Sequence, residues 1–266
     1  MLSRRLGVHY IAEEMRLFYS DKICPGIKKC IIDGAEARHI YKVLRMGRGD
    51  SITLMDKEGR RYDTIITKIS HGKVEVIIQE IYPPPRPSPL EITLCVSLIR
   101  SMPMDLVIQK SSELGVDTIQ PFYSERSIIK IPEQRIEARL RHWNEVAKNA
   151  AKQSGRPIPA QVLRPMALDE LLRKTRGLGS LKMLLWEEEK TQSIKSILRQ
   201  KDKVDHVIGI IGPEGGFSRE EVERFKIEGF LSVSLGRRIL RVETAAITFV
   251  AIIQYELGDL GLPDKT

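Results

Sequence analysis

The stretch Val204-Asp205-His206-Val207-Ile208-Gly209-Ile210-Ile211-Gly212-Pro213-Glu214-Gly215-Gly216-Phe217-Ser218 runs from an apolar segment into a glycine-rich turn. Residues 204–211, short and rich in β-branched side chains, predict a strand buried on both faces. Ser218 with Glu221 forms a capping box that starts a helix, and Gly229 stops it. A second strand then leads into Leu235-Gly236-Arg237-Arg238-Ile239-Leu240-Arg241-Val242-Glu243-Thr244-Ala245. An apolar helix over 243–257 follows. Two strand-to-helix loops therefore leave one edge of a parallel sheet, the edge at which open α/β sheets bind ligands.

Working toward the N-terminus, the same alternation continues. Strands are predicted over 90–98, 116–122 and 181–186, and helices over 104–114, 133–153, 168–175 and 193–199. Strands alternating with helices give a mainly parallel sheet covered on both faces. The pattern stops at Tyr82-Pro83-Pro84-Pro85-Arg86-Pro87-Ser88-Pro89, a proline run that neither pairs in a sheet nor continues a helix. Before it the segments are short and β-rich, at 16–18, 51–55, 62–69 and 73–81, with glycine turns between them. They predict a small barrel or sandwich. One helix, 34–44, interrupts it. Within and after that helix Arg38, Lys42 and Arg45 have the i, i+4, i+7 spacing of one face, with Arg48 close behind. His39 reads as a capping or packing residue. Residues 1–14 read as a tail.

The chain has 266 residues and a formal net charge of +8. Residues 1–82 hold 15 Lys/Arg against 11 Asp/Glu, a balance of +4, and the other 184 residues hold 28 against 24, again +4. The first third is the more densely basic, which favours an anionic partner such as nucleic acid. No apolar run is long enough to span a bilayer and no secretory leader is visible, so a cytoplasmic protein is expected. Cys24, Cys30 and Cys95 form no Cys-x-x-Cys pair and read as free thiols.

The motifs exclude as much as they suggest. There is no P-loop, no dinucleotide fingerprint after the first α/β strand, no Gly-x-Ser-x-Gly and no His/Cys cluster for a metal. Cys95, inside an apolar strand, is expected to be inert. What remains is backbone: Gly212, Gly215 and Gly216 let main-chain groups approach a ligand, Pro213 stiffens the turn, and the strand end at Trp186-Glu187 opens on the same edge.

Gly212-Pro213-Glu214-Gly215-Gly216-Phe217-Ser218 followed by residues 235–246 resembles the SPOUT class of S-adenosylmethionine-dependent RNA methyltransferases. Within that class the resemblance is to the RsmE family, the 16S rRNA uridine-N3 methyltransferases. His39-Ile40, Val43-Leu44-Arg45 and Gly49-Asp50, Gln109-Lys110 through Glu113-Leu114-Gly115, and Gln153-Ser154-Gly155-Arg156 also match its pattern, so that the likeness covers about 15–262. Asn149 and Lys152 stand where family members usually carry acids.

The resemblance implies a PUA-like β-barrel RNA-binding domain at 1–82, a linker at 83–89, and a SPOUT methyltransferase domain with a deep trefoil knot at 90–266. It implies S-adenosyl-L-methionine as cofactor, held by Leu185, Trp186, Glu187, Ile211, Gly212, Pro213, Glu214, Gly215, Gly216, Ser234, Leu235, Gly236, Ile239, Leu240 and Arg241. No metal is expected. Direct transfer to a ring nitrogen needs no covalent nucleophile, but uridine N3 carries a proton that must be removed or its anion stabilised. Arg241 is the candidate for charge stabilisation, and Glu243 or Glu214 for taking the proton. Arg38, Lys42, Arg45, Arg48, Arg126 and Arg156 are the candidates for holding 16S rRNA in the small ribosomal subunit. The resemblance further implies a homodimer through the C-terminal domain, with Ala246, Phe249, Val250 and Ile253 of the last helix as interface. Rival readings are a SPOUT enzyme acting on another RNA or base atom, and a non-catalytic RNA-binding ribosome-assembly factor.

Overall fold

A computed structural model describes residues 17–84, 88–200 and 203–261. The expected tail at 1–14 and the middle of the proline linker lie outside the described residues. Among those described, one compact unit takes in 17–84 and 151–159, and a second takes in 88–150 and 160–261.

Alternating side chains build the first unit. Its strands are β1 (Leu17–Tyr19), β2 (Lys29–Ile32), β3 (Ser51–Met55), β4 (Arg61–Ser70) and β5 (Lys73–Tyr82). They form one sheet in the order β1-β3-β4-β5-β2, with β1 parallel to β3 and the other pairs antiparallel. Two register shifts between β4 and β5 bend the long hairpin. Tyr62, Ile66, Val74 and Val76 point inward from it onto Phe18, Ile52 and Leu54. The strand over 29–32 was not expected from the sequence.

The helix expected over 34–44 is not uniform. An α-helical turn, α1 (Gly34–Arg38), gives way to a π-helical turn over His39–Val43, and Arg45 follows with φ +53°. Arg45 therefore lies beyond the helix, and the single basic face read from its spacing does not form. His39 packs edge-on against Phe18 at 5.8 Å, in the packing role expected.

Residues 151–159 belong to the first unit through specific contacts. Lys152 Nζ donates to the Glu36 carboxylate and sits 5.6 Å from the Tyr19 ring centre. Tyr19 donates its hydroxyl to the Arg156 carbonyl at 2.5 Å, and Arg61 donates to the Gly155 carbonyl at 3.0 Å. Lys152, in place of the family's usual acid, is thus an internal ion-pair partner.

The second unit is a parallel sheet of β6 (Glu91–Ser97), β7 (Thr118–Tyr123), β8 (Gln161–Val162), β9 (Met166–Ala167), β10 (Leu181–Leu185), β11 (His206–Ile211) and β12 (Leu231–Val233). The order is β12-β10-β11-β6-β7-β8, with β9 also on β7. Its helices are α2 (Ser101–Glu113), α3 (Glu133–Ser154), α4 (Leu168–Thr175), α5 (Ile194–Leu198), α6 (Arg219–Ile227) and α7 (Val242–Leu257). Two cores lie on opposite sides of the sheet. Ile92, Leu94 and Val96 of β6 meet α2, α3, α5 and α7, whereas Cys95 joins α4 and α6 around Phe122, Phe217 and Phe225. Burial pushes the Cys95 thiol up to about 12, so it is uncharged near neutrality and a poor nucleophile.

The interior position of Gly209 within β11 has a packing reason. A methyl group there would come within 2.1 Å of the Phe249 ring, so the missing side chain is the space α7 packs into. Phe249, Ala246, Val250 and Ile253 are fully buried within this one chain. That corrects the expectation that these four supply a subunit interface: they are spent on the sheet.

Candidate active site

The capping box formed by Ser218 and Glu221 is present in full, and it fixes where α6 begins. From there the chain folds back so that Phe217 lies under Gly212, where an added Cβ would meet the ring at 2.9 Å. Gly216 has φ +66°, and its amide donates to the Pro213 carbonyl at 3.0 Å. A side chain at Gly216 would run into the Glu187 carboxylate, with Oε1 at 2.0 Å from the added carbon. The turn is thus left-handed and closely approached, and glycine satisfies both demands.

Two more loops meet it. After β10, Glu189 accepts hydrogen bonds from the Thr191 hydroxyl and amide and from the Gln192 amide. Burial works to raise its pKa, but these hydrogen bonds outweigh it and hold the carboxyl at about 2. After β12, Ser234 donates its amide to the Gln192 carbonyl at 2.9 Å, and its carbonyl accepts from Ile194 at 3.1 Å. The loops after β10 and β12 are therefore stitched into one wall. On the far side of the glycine turn, Glu221 accepts from the Glu125 amide at 2.8 Å, and Arg126 donates to the Gly215 carbonyl at 3.2 Å.

Together they enclose a cavity of about 780 Å³ at the carboxyl edge of the sheet, within the range of small-molecule sites. It is lined by every cofactor candidate named above, and also by Glu214, Arg241 and Glu243. Arg241 caps the start of α7 in extended conformation, and Glu243 lies in that helix's first turn. Arg237 and Arg238, within the expected loop over 234–241, line it as well, and so do Arg100, Pro103, Val233, Val242 and Ala245, which the sequence does not mark as ligand residues. Arg100 ends the loop after β6, which carries no glycine signal, but its place at the same parallel edge follows from the sheet order.

The donor set suits an organic cofactor with polar ends. Residues of three loops line the cavity, and the buried Trp186 indole N–H has no acceptor among the described residues. No cluster of metal-binding side chains exists among them either. Of the RNA candidates, Arg38, Lys42, Arg45 and Arg48 are exposed in the first unit. Arg126 is bound to the glycine turn, and Arg156 belongs to the 151–159 segment.

A parallel sheet whose glycine turn and two partner loops close one cavity is the architecture of an α/β RNA methyltransferase. The family described as RNA methyltransferase domain matches residues 86–254, and that described as RNA methyltransferase PUA domain matches 32–79. Ribosomal RNA small subunit methyltransferase E of Aquifex aeolicus is 30% identical over 90% of this chain and 99% of its own length. The Bacillus subtilis protein of that name is 29% identical over 85% of this chain and 89% of its own length. The crystal structure of the Neisseria gonorrhoeae enzyme of that name, bound to S-adenosyl methionine, superposes with a TM-score of 0.81, at 31% identity, over 92% of this chain and 99% of that one. The chain belongs to the ribosomal RNA small subunit methyltransferase E family of RNA methyltransferases.

Proposed function

We propose that this protein transfers the methyl group of S-adenosylmethionine to N3 of a uridine in 16S rRNA of the small ribosomal subunit. The observation that carries the reading is the single cavity in which the glycine turn, the loops after β10 and β12, and Arg241 meet. Leu185, Trp186 and Glu187, residues 211–216, and Ser234, Leu235, Gly236, Ile239 and Leu240 would hold the cofactor, chiefly through backbone groups. When bound, it supplies a methyl group activated by a positively charged sulfur.

The chain's own residues then have to manage the uracil. Its N3 proton is held well above neutral pH, so N3 becomes an adequate nucleophile only if the proton leaves and the negative charge on the flanking oxygens is stabilised. Arg241 lines the cavity with no ion-pair partner among the described residues, and a guanidinium there serves that charge. Glu243 or Glu214 takes the proton. No cysteine thiolate is needed, in keeping with the burial of Cys95.

The same reading assigns RNA holding to a PUA-like domain at 1–82, joined through 83–89 to a SPOUT methyltransferase domain at 90–266. The last segment of that domain is threaded as a deep trefoil knot, and two subunits pair through it in the cytoplasm. The likeness to the Neisseria gonorrhoeae structure, bound to S-adenosyl methionine, supports the fold and the cofactor. Among the described residues no helix is long and apolar enough to cross a membrane. The test is methyl transfer from labelled cofactor to small subunits of a strain lacking the gene, followed by nucleoside analysis. Label in 3-methyluridine of 16S rRNA is the expected outcome; label in any other nucleoside, or none, overturns it.

A further inference from the structure

The π-helical turn of the first unit presents apolar side chains to solvent. Ile40 and Met46 are buried on either side of it. Between them the backbone is widened and underwound: the Leu44 amide reaches the His39 carbonyl at 3.0 Å, and the Met46 amide reaches the Ile40 carbonyl at 3.1 Å. Arg45 takes φ +53°, a left-handed conformation that strains an L-residue. Pinned at both ends, the intervening residues bulge outward. Val43 is 66% exposed and Leu44 38% exposed. Two aliphatic side chains held in water by a strained turn call for an occupant.

The charge around them says which kind. Arg38, Lys42, Arg45 and Arg48 are all exposed, and none makes an ion pair among the described residues. The acids flanking them in sequence are engaged elsewhere: Asp33 with Lys22, Glu36 with Lys152, and Asp50 with the Gly47 amide. An exposed apolar pair flanked in sequence by cations that make no ion pair among the described residues suits nucleic acid, whose bases are apolar on their faces and whose phosphates are anionic. A protein surface would more often bring acids to such a rim but gives the exposed pair no flat apolar plane.

We propose that this turn is a nucleobase-contacting tip: Val43 and Leu44 lie against the face of an unpaired base while the surrounding arginines and lysine hold flanking phosphates. The inference rests on the reading that this unit binds ribosomal RNA, and it adds a contact that charge alone does not supply.

Salt dependence separates the two kinds of contact, because only phosphate contacts release counterions. The experiment is binding of the full-length protein to a 16S rRNA transcript at several potassium chloride concentrations, with cofactor binding as the folding control. R45A/R48A is expected to reduce the slope of log affinity against log salt by roughly 0.7 per lost contact. V43A/L44A is expected to weaken binding by about tenfold with the slope unchanged, the scale of losing one base-face contact. If only the arginine pair matters, the proposal falls while the RNA reading stands. If V43A/L44A lowers the slope, its effect is on the cations and the proposal also falls. If neither pair matters, the RNA reading of this unit falls and takes the proposal with it.

Discussion

Arg241 and Glu243 are close in sequence but enter the site for different reasons. Arg241 is the extended residue before α7, so its side chain is free of the helix, whereas Glu243 is held on the first turn. If Arg241 carries the charge of the uracil oxygens, R241A should lower kcat on the order of 100-fold, the usual loss for one stabilising donor. The cofactor dissociation constant should change less than about threefold, because backbone groups carry that binding. Stopped turnover and calorimetry separate the two, and equal losses would place Arg241 in the cofactor site alone. These residues were legible because they sit in or beside glycine motifs. Arg100 was not, since nothing in Leu98-Ile99-Arg100 marks a ligand loop until the sheet order puts it at the same edge. Arg126 was read as an RNA contact and is found donating to the Gly215 carbonyl. No periodicity foretells a contact between residues so far apart in sequence.

Elements were readable where one period persisted and unreadable where it changed. The long strands and the capped helix α6 follow simple patterns, and the capping box names its own start. The π turn after α1 shares the helix's early spacing and departs only when Ile40 and Met46 are pinned below it. β8 and β9 are too short to show any alternation. Two predictions belong at this scale. G209A should destabilise the protein by about 1–3 kcal/mol, the usual cost of overpacking, because its methyl meets a fully buried Phe249 ring; thermal melting reads it. Glu189 concerns the loop after β10. Its carboxyl is depressed from 4.5 to about 2, so the stability it lends is present above pH 4.5 and is lost as the pH falls from there toward 2. E189Q should flatten the acid limb of melting temperature against pH in that window and leave the neutral region nearly unchanged. An acid limb identical to that of the unaltered protein would show that the carboxylate carries no net stabilisation.

At the scale of the molecule, the proposed pairing of two subunits has to be squared with a C-terminal helix whose apolar stripe is buried within one chain. α7 spends its apolar stripe inside the subunit, where Ala246, Phe249, Val250 and Ile253 are buried, so the proposed pairing would use its other side and its neighbour. α2 packs beside α7, and between them Tyr255 is 65% exposed, Leu106 39% and Met102 84%. Ile239, 89% exposed, lies on the loop that lines the cavity. Apolar surface on both helices, with more on a cavity loop, is where a second subunit would bury area. Y255D/L106D therefore should shift sedimentation from dimer to monomer without lowering the melting temperature of the isolated chain by more than a few degrees, since neither side chain belongs to the core. Under the proposed pairing, methyl transfer should fall with dimer content and recover as protein concentration is raised, because the loop carrying Ile239 both lines the cavity and offers apolar surface to a partner. A dimer that survives the double substitution would move the interface to another face, and a monomer that keeps full turnover would mean that one subunit's loops are sufficient for the chemistry.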